Sequence, residues 1–309
     1  MKIKAALFLI ESPLNLLCAW EAVDSFQLDL YKFIIRINSE DKNNKQMLSL
    51  LSDLKIRREN ITFASIKSEG HVFFRTLPSV KFTAKCLIKS LKFDKVFIGN
   101  LDSKLLNFLA IIIGKKKVIV YDDGTKTLVT QRKFNNRYYF NLFTMYDLNL
   151  IDQQVIYTNN FNRIRQLIGK VTLIDEGVML LGGKWSEEGI ISERNYFLKI
   201  QKICHIHKDK KIMYIPHRSE NEDKLRYIAS IANLAIKKLE YPVELYGIYN
   251  EDMPKKIISF ASTALITMKT LYKVDIESYR FEFNHPNYNS YLEIIYKYYE
   301  SRVPVFDLD

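Results

Sequence analysis

Residues 122–125 have the composition of a small acidic site. Asp122 and Asp123 directly follow the β-rich run 118–121 and precede Gly124, which allows the chain to leave a strand sharply. Two close carboxylates disfavour ionising together, so one of the pair can serve as a general base. The same residues also suit an ordinary turn that caps the next helix. The sequence leaves a catalytic base and a structural turn as two interpretations of this motif.

A second group of polar residues has the composition of a phosphate site. His217 and Arg218 come just after the apolar run 211–215, and they combine a donor that can deliver a proton with a fixed planar cation. Ser262 and Thr263 lie in a cluster of small hydroxyl residues, which together with free backbone N–H groups can bind a phosphate. A surface histidine and ordinary helix-end hydroxyls are the alternatives.

Two further strand ends carry polar residues. Glu11-Ser12-Pro13 follow the run 4–10, and Gly99-Asn100 follow the run 95–98. In open α/β sheets, ligands bind beyond the carboxyl ends of the strands. The position that these residues share with Asp122 and His217 therefore predicts a ligand site more firmly than any single motif does.

The first half of the chain alternates β-rich runs with amphipathic helical patterns, which is typical of βαβ units and a parallel sheet. Pro13 fits the first turn of a helix, where its missing N–H costs little. Strands are predicted at 4–10, 32–37, 61–66, 95–98 and 118–121, and helices at 13–21, 45–54, 79–91 and 104–113.

The second half repeats this alternation after the glycine-rich stretch 182–189, whose composition suggests a linker. The predicted fold is α/β and GT-B-like, with two Rossmann-like domains, 1–180 and 181–309, that face each other across a cleft. In the second domain, helices are predicted at 193–203, 221–239, 254–260 and 288–299, and strands at 211–215, 243–245 and 264–268.

Composition excludes several classes of protein. Hydrophobic residues make up 48% of the 309 residues, which excludes a disordered chain. Three scattered cysteines argue against a disulfide framework and a zinc cage. The longest apolar stretch, 105–113, is about half of the ~20 residues that a membrane-spanning helix needs. Glu11 and Pro13 interrupt the N-terminal apolar run, so we expect no export and a cytoplasmic protein.

The chain has 46 Lys and Arg against 35 Asp and Glu, a net charge of +11. Solubility explains this charge in one interpretation, and an anionic small substrate or membrane face explains it in another. No nucleic-acid-binding module accompanies the charge, so nucleic acid is not an expected partner. Lys115-Lys116-Lys117 form either a solvated turn or a contact with anionic lipid.

Taken in order, the motifs resemble those of bacterial sialyltransferases, specifically the lipooligosaccharide sialyltransferase and polysialyltransferase group. Those families carry an acidic-acidic-glycine motif, a histidine motif usually written His-Pro, and a Ser/Thr pair. The segments ESPLNLLCAWEAV, GGKWSEEGIIS and ISFASTALITMKT are also similar, so the resemblance spans most of the chain. The counterparts of the three motifs here are Asp122-Asp123-Gly124, His217 and Ser262-Thr263.

The resemblance implies an inverting, metal-independent sialyltransferase that moves N-acetylneuraminate from CMP-N-acetylneuraminate to a galactoside in lipopolysaccharide, O-antigen or capsule synthesis. By this analogy Asp123 is the base, Asp122 supports it, and His217 stabilises and can protonate the departing CMP phosphate. The first domain would bind the acceptor and the second the nucleotide, with no cofactor beyond the CMP donor. The implied binding residues are Ser262, Thr263, Arg218, Gly124, Ser12 and Asn100.

The implied partners are CMP-sialic acid and a lipid-linked oligosaccharide acceptor, with a peripheral contact to the inner face of the anionic inner membrane. Two other functions remain open. One is a GT-B glycosyltransferase that uses another CMP-linked nine-carbon acid or a UDP-sugar. The other is a non-catalytic nucleotide- or RNA-binding protein.

Three further motifs are weaker candidates. His217 is followed by Arg218 where the family has proline, and the literal His285-Pro286 comes after the Ser/Thr pair and outside any strand end. A second acidic pair precedes a glycine at Asp175-Glu176-Gly177. Asp307-Leu308-Asp309 is the one Asp-x-Asp of the sequence, and the C-terminus is a poor place for a metal site.

Overall fold

The computed structural model describes residues 3–37, 41–65, 72–133, 140–149, 154–283, 285 and 288–308. The chain divides into two units, Met1–Ile164 and Arg165–Asp309, and each is built on one parallel sheet with helices in the crossovers. Together the two units form a GT-B-type pair of Rossmann-like domains, as the sequence predicts. None of the helices in the described residues has both the length and the apolar character needed to cross a bilayer.

In the first unit, the described strands form a seven-stranded sheet of order β3-β2-β1-β4-β5-β6-β7. The strand order changes direction between β1 and β4. The strands are β1 Ala5–Ile10, β2 Leu30–Ile37, β3 Ile61–Ser65, β4 Lys95–Ile98, β5 Val118–Tyr121, β6 Asn141–Thr144 and β7 Ile156–Thr158. The helices are α1 Pro13–Ser25, α2 Asp41–Asp53, α3 Val72–Ser90, α4 Lys104–Ile113, α5 Lys126–Lys133 and α6 Asn162–Ile168, which crosses the boundary.

The five strands and four helices predicted for this half are confirmed, with ends that shift by up to seven residues; residue 66 lies outside the described residues. Ser12 and Pro13 start α1 as expected: the Ser12 hydroxyl accepts the Asn15 N–H at 3.2 Å, and proline takes the first turn. β6 and β7 were not predicted, because strands of four and three residues are too short to show a period.

In the second unit, the described strands form a six-stranded sheet of order β10-β9-β8-β11-β12-β13, with the change of direction between β8 and β11. The strands are β8 Thr172–Leu181, β9 Ile212–Ile215, β10 Leu234–Ile236, β11 Asp252–Ser259, β12 Asp275–Arg280 and β13 Val305–Asp307. The helices are α7 Glu193–Ile206, α8 Glu222–Ile228, α9 Tyr246–Tyr249, α10 Thr263–Tyr272 and α11 Asn289–Glu300, with a 3₁₀ helix at Val243–Leu245.

Several predictions for this half are wrong. The helix predicted at 254–260 is part of β11, and the strand predicted at 264–268 is part of α10. The apolar stretches of both runs are only a few residues long, and such stretches do not distinguish a buried strand from a buried helix. The helix predicted at 221–239 ends at Ile228, since the chain turns there and forms the edge strand β10. Residues 243–245 form a 3₁₀ helix instead of a strand.

The domain boundary predicted at residue 180 is also wrong, because β8 ends at Leu181 and is a central strand of the second sheet. Gly182 and Gly183 are therefore not a linker. A Cβ at Gly182 would lie 2.3 Å from the Tyr214 hydroxyl and 2.2 Å from a Glu220 oxygen. These glycines allow close packing at a strand end. In the sequence alone, a pair of glycines is equally compatible with close packing and with a flexible linker.

Candidate functional site

Asn15 joins the carboxyl ends of three strands in the first unit. Its buried side chain donates from Nδ2 to the Asp122 carbonyl at 3.0 Å and to Asp123 Oδ1 at 3.3 Å, and its Oδ1 accepts the Glu11 N–H at 3.3 Å. A Cβ at Gly99, after β4, would lie 2.7 Å from Asn15 Nδ2. Sequence reasoning missed Asn15. The signal that could have found it is a polar amide residue in the first turn of an otherwise apolar helix.

Asp122 is fully buried and its carboxylate is held at both oxygens. Oδ1 accepts the Thr144 hydroxyl at 2.6 Å, and Oδ2 accepts the Met145 N–H at 2.7 Å. Burial raises the pKa of Asp122 to about 7, and hydrogen bonds from Thr144, Met145 and Thr127 offset only part of that effect. Asp122 therefore anchors the motif and is shielded from any bound substrate.

Asp123 differs from its neighbour because its side chain is partly exposed at the end of β5. Asn15 donates to its carboxylate, and its own backbone N–H donates to the Thr127 hydroxyl at 3.0 Å. Gly124 follows with a φ of +68°, a conformation that favours glycine. One acid of the pair is thus buried and the other is accessible at the edge of the sheet where ligands bind in such folds.

The other predicted residues of this unit serve first as helix caps. The Ser12 hydroxyl accepts the Asn15 N–H, and Asn100 Oδ1 accepts the N–H groups of Asp102 and Ser103 at 3.1 and 3.2 Å. Capping uses the acceptor atoms of these side chains and leaves the Ser12 O–H and the Asn100 amide as donors.

Glu11, which directly follows β1, forms a half-buried ion pair of 2.6 Å with Arg36 near the end of β2, a residue that the sequence did not single out. The Glu11 backbone carbonyl also accepts the side-chain amide of Asn43 at 3.3 Å. The carboxyl edge of this sheet therefore carries an ion pair as well as the Asp123 carboxylate.

The raised pKa of Asp122 predicts a pH-dependent stability. Between about pH 4 and pH 7 the folded chain keeps a proton on Asp122 that the unfolded chain has lost, so this group makes stability fall as pH rises. Between pH 5 and pH 8, we expect the melting temperature of Asp122→Asn to fall less than that of the wild type. If the melting temperatures of the two proteins change in parallel over this range, Asp122 does not titrate there.

His217 follows β9 in the second unit as a neutral donor. The Ser219 N–H donates to Nδ1 at 3.2 Å, so the ring proton lies on Nε2. Burial, together with the nearby cations of Arg218 and Lys184, lowers the pKa of His217 to about 3. His217 therefore presents a neutral hydrogen-bond donor at Nε2, and its role in stabilising or protonating a leaving phosphate stays a prediction.

A buried network holds His217 and the glycines after β8. Glu220 accepts the His217 N–H at 3.1 Å and the Tyr214 hydroxyl at 2.8 Å, and the Tyr214 hydroxyl lies 2.9 Å from that of Tyr196. Burial raises the pKa of Glu220 to about 7, against the opposing effect of Lys224. The ends of β8 and β9 are therefore locked together by polar groups.

Lys224 completes this network from α8 with a side chain that is 1% exposed. Its Nζ lies 2.8 Å from Glu187 Oε2, 3.6 Å from Glu220 Oε2 and 3.2 Å from the Gly183 carbonyl, which accepts its hydrogen bond. It also lies over the Tyr196 ring. Sequence reasoning missed these residues, because Glu220 and Lys224 read as an ordinary i,i+4 pair on a helix surface.

Ser262 and Thr263 lie where β11 ends and α10 begins, so the hydroxyl cluster is at the N-terminus of a ten-residue helix. The Ser262 hydroxyl accepts the Ala264 N–H at 3.3 Å. Helix N-termini favour anions because of their N–H groups and the helix dipole. Ser262 before an apolar run was the available helix signal.

Arg218 and α10 are connected through Glu244. The Glu244 carboxylate accepts the Thr267 hydroxyl of α10 at 3.2 Å. Burial raises the pKa of Glu244, and Arg218 is close enough to lower it. The parallel sheet thus brings the polar groups that follow β9 and β11 to one edge of this unit.

The weaker candidates lie elsewhere. Asp175 and Glu176 are exposed in the amino half of β8, away from its carboxyl end. Asp307 forms an ion pair of 2.7 Å with Arg280, and Asp309 lies outside the described residues. His285 precedes α11, with its ring 5.0 Å from that of Tyr288, and Pro286 also lies outside the described residues.

No protein-family model matches this sequence, and no curated protein matches it significantly. Solved structures do match the fold. Acinetobacter baumannii MurG is 13% identical with a TM-score of 0.50 over 98% of this chain and 85% of that chain. A Neisseria meningitidis UDP-GlcNAc 2-epimerase bound to UDP-GlcNAc is 14% identical, with a TM-score of 0.56 over 97% and 94%.

A third match is Methanocaldococcus jannaschii UDP-GlcNAc 2-epimerase in complex with UDP-GlcNAc and UDP, at 13% identity and a TM-score of 0.58 over 96% and 92% of the two chains. These matches establish the shared fold. They also overturn the prediction of a sialyltransferase with CMP-sialic acid as partner, because these fold neighbours are MurG and UDP-sugar epimerases, and the nucleotides bound in the epimerases are UDP-GlcNAc and UDP.

Proposed function

We propose that this chain is a glycosyltransferase of GT-B fold that uses a UDP-sugar as donor. The observation that carries the proposal is the carboxyl edge of the second sheet, where Arg218, the Nε2–H of His217 and the N-terminus of α10 are gathered. An arginine, a neutral donor and a helix N-terminus suit a diphosphate, which carries more charge than the phosphate of a CMP-sugar.

The proposed division of labour follows from which groups each unit presents. The second unit, Arg165–Asp309, binds the nucleotide diphosphate through Arg218, His217, Ser262 and Thr263. The first unit, Met1–Ile164, binds the acceptor and supplies the base through Asp123. That the two units face each other across a cleft stays a prediction from the sequence.

The proposed reaction is a displacement at the anomeric carbon. Asp123 takes the proton of the acceptor hydroxyl, the hydroxyl oxygen bonds to the anomeric carbon, and the bond from that carbon to the diphosphate oxygen breaks. UDP leaves with the electron pair, and hydrogen bonds from His217 and Arg218 stabilise its developing charge. Asn15 and the buried Asp122 position Asp123.

The nucleotide is tested by thermal stabilisation in the presence of UDP, CMP or GDP. A ligand at 100 times its Kd stabilises the folded state by about 2.7 kcal/mol, so the preferred nucleotide gives the largest rise in melting temperature. We expect UDP to give that rise, and UDP-GlcNAc with candidate acceptors to release UDP. A larger rise with CMP would overturn the proposal.

His217→Ala and His285→Ala form a matched pair for the same assay. We expect His217→Ala to bind UDP about 10- to 100-fold more weakly, the effect of losing one hydrogen bond to a charged group. His285→Ala is expected to keep wild-type affinity. The reverse pattern would transfer the phosphate-binding role to His285.

The absence of a required cofactor is also part of the proposal. We expect UDP release to continue in EDTA, since Arg218 and the α10 N-terminus supply the charge stabilisation proposed for the leaving group. Loss of UDP release in EDTA, restored by added Mg²⁺, would contradict this. Analysis of the sugar product by NMR distinguishes transfer from epimerisation.

A further inference from the structure

An apolar surface on the first unit lies apart from the groups of the proposed function. α3 and α4 contact each other and cover the same face of the sheet, because Phe82 and Cys86 of α3 share a core cluster with Leu106 and Leu109 of α4. The inward faces of both helices are thus packed in the core of the first unit. The exposed residues on their outward faces need a separate explanation.

The outward faces are apolar where a surface helix is normally polar. Residues 104, 108, 111 and 112 lie on one side of α4, and residues 81, 84 and 88 lie on one side of α3. The α3–α4 surface consists of Val80 at 62% exposure, Ile88 at 64%, Leu91 at 79%, Phe108 at 53%, Ile111 at 41% and Ile112 at 50%.

Lysines predominate around this surface. Residues 72–93 and 103–121 contain no Asp or Glu, and the exposed Asp94 and Asp102 lie just beyond these two segments. The Val96 N–H donates to the Lys117 carbonyl at 2.9 Å, which brings the turns after α3 and α4 together at the amino ends of β4 and β5. The lysines of these segments are Lys81, Lys85, Lys89, Lys92, Lys104, Lys115, Lys116 and Lys117.

We propose that the α3–α4 surface binds the anionic face of a phospholipid membrane. Exposed Phe, Leu and Ile side chains enter the boundary between headgroups and acyl chains, and the surrounding lysines pair with lipid phosphates. Part of the +11 net charge then has a specific partner. The proposal rests on this surface alone and holds whichever nucleotide the chain uses.

A second copy of the chain is a poorer occupant. A symmetric pair of α3–α4 surfaces would bring two sets of lysines together without any acidic residue from these segments to balance them. An anionic lipid surface satisfies the apolar side chains and the lysines at the same time. The charge of the surface therefore decides between the two.

Vesicle flotation tests the proposal with the full chain. Wild-type protein is expected to float with vesicles of phosphatidylcholine and phosphatidylglycerol, and not with phosphatidylcholine alone. Binding is expected to weaken as salt approaches about 1 M, where the Debye length falls to about 3 Å. Absence of wild-type binding to the anionic vesicles would overturn the proposal.

Two variants that replace exposed residues with the good helix former glutamine locate the binding surface. The apolar variant is expected to weaken vesicle binding at least about 10-fold, and the lysine variant at least about 100-fold, since each lysine near an anionic surface contributes about fivefold. The variants are Ile88→Gln/Leu91→Gln/Phe108→Gln and Lys85→Gln/Lys92→Gln/Lys115→Gln/Lys116→Gln.

Matched controls replace three exposed aliphatic side chains and four exposed lysines elsewhere, so the lysine control loses the same four charges. Controls are expected to bind as the wild type does, and all variants to keep its melting temperature. Equal loss in the controls, or light scattering that shows a dimer abolished by the apolar variant with no vesicle binding, would overturn the proposal. The controls are Leu48→Gln/Leu198→Gln/Ile206→Gln and Lys42→Gln/Lys170→Gln/Lys208→Gln/Lys297→Gln.

Discussion

Asp123→Asn is expected to lower the rate of UDP-sugar turnover by about 10²- to 10⁴-fold, the usual contribution of a positioned general base. An amide does not take up the acceptor proton, but its oxygen still accepts the hydrogen bond from Asn15 Nδ2 that now reaches Asp123 at 3.3 Å. The side chain is partly exposed, so the substitution leaves no buried group without a partner. The measurement is the initial rate of UDP release at saturating donor and acceptor.

The same variant is expected to keep the thermal stabilisation by UDP, because the proposed nucleotide site belongs to the second unit. Asp29→Asn is a matched control: Asp29 is exposed and immediately precedes β2, at the opposite edge of the same sheet. Wild-type turnover in Asp123→Asn would remove Asp123 as the base. Loss of both turnover and UDP stabilisation would point to a binding or folding role instead.

Lys224→Met is expected to destabilise the second unit by about 3–5 kcal/mol, the usual cost of breaking a buried ion pair by removing one partner. Glu187 and Glu220 would lose a cation that now lies 2.8 and 3.6 Å away, and the Gly183 carbonyl would lose its donor. Methionine has a similar volume, so the loss is electrostatic more than steric. Urea unfolding measures the effect.

The chain has two tryptophans, Trp20 in the first unit and Trp185 in the second. A Trp20→Phe background therefore lets Trp185 fluorescence report on the second unit alone, which matters because two units need not unfold together. This background serves for every variant of the series.

Two further substitutions distinguish the stability lost with the buried ion pair from a general effect of replacing a lysine. Lys238→Met breaks an exposed pair of 2.6 Å with Glu222 and is expected to cost about 0–1 kcal/mol. Lys224→Met/Glu220→Gln removes one of the carboxylates left behind and is expected to recover part of the stability lost in Lys224→Met. Equal losses for Lys224→Met and Lys238→Met would show that the buried network contributes no more than a surface pair.

The elements of the first unit were predictable because each one carries a local signal. β1, β2 and β4 are buried apolar runs bounded by polar residues, and α1 starts at a Ser-Pro pair that meets the physical needs of a first turn. In residues 252–272 the apolar stretches of β11 and α10 are too short to distinguish a strand from a helix, and Ser262 before an apolar run is the one clear local signal. Burial between neighbouring strands makes the first a strand, and the Ser262 cap makes the second a helix.

Amino-acid types and strand ends by themselves determined the α/β class, the parallel sheets and the edge at which Asp123, His217 and Arg218 lie. These are local properties of composition and period. Only the tertiary structure decided that Asn15 supports Asp123, that Lys224 and Glu220 lie behind His217, and that Gly182 and Gly183 pack and do not link. Those contacts join residues from separate elements. The roles of these residues therefore depend on burial and charge in the folded chain, and spacing along the sequence does not predict them.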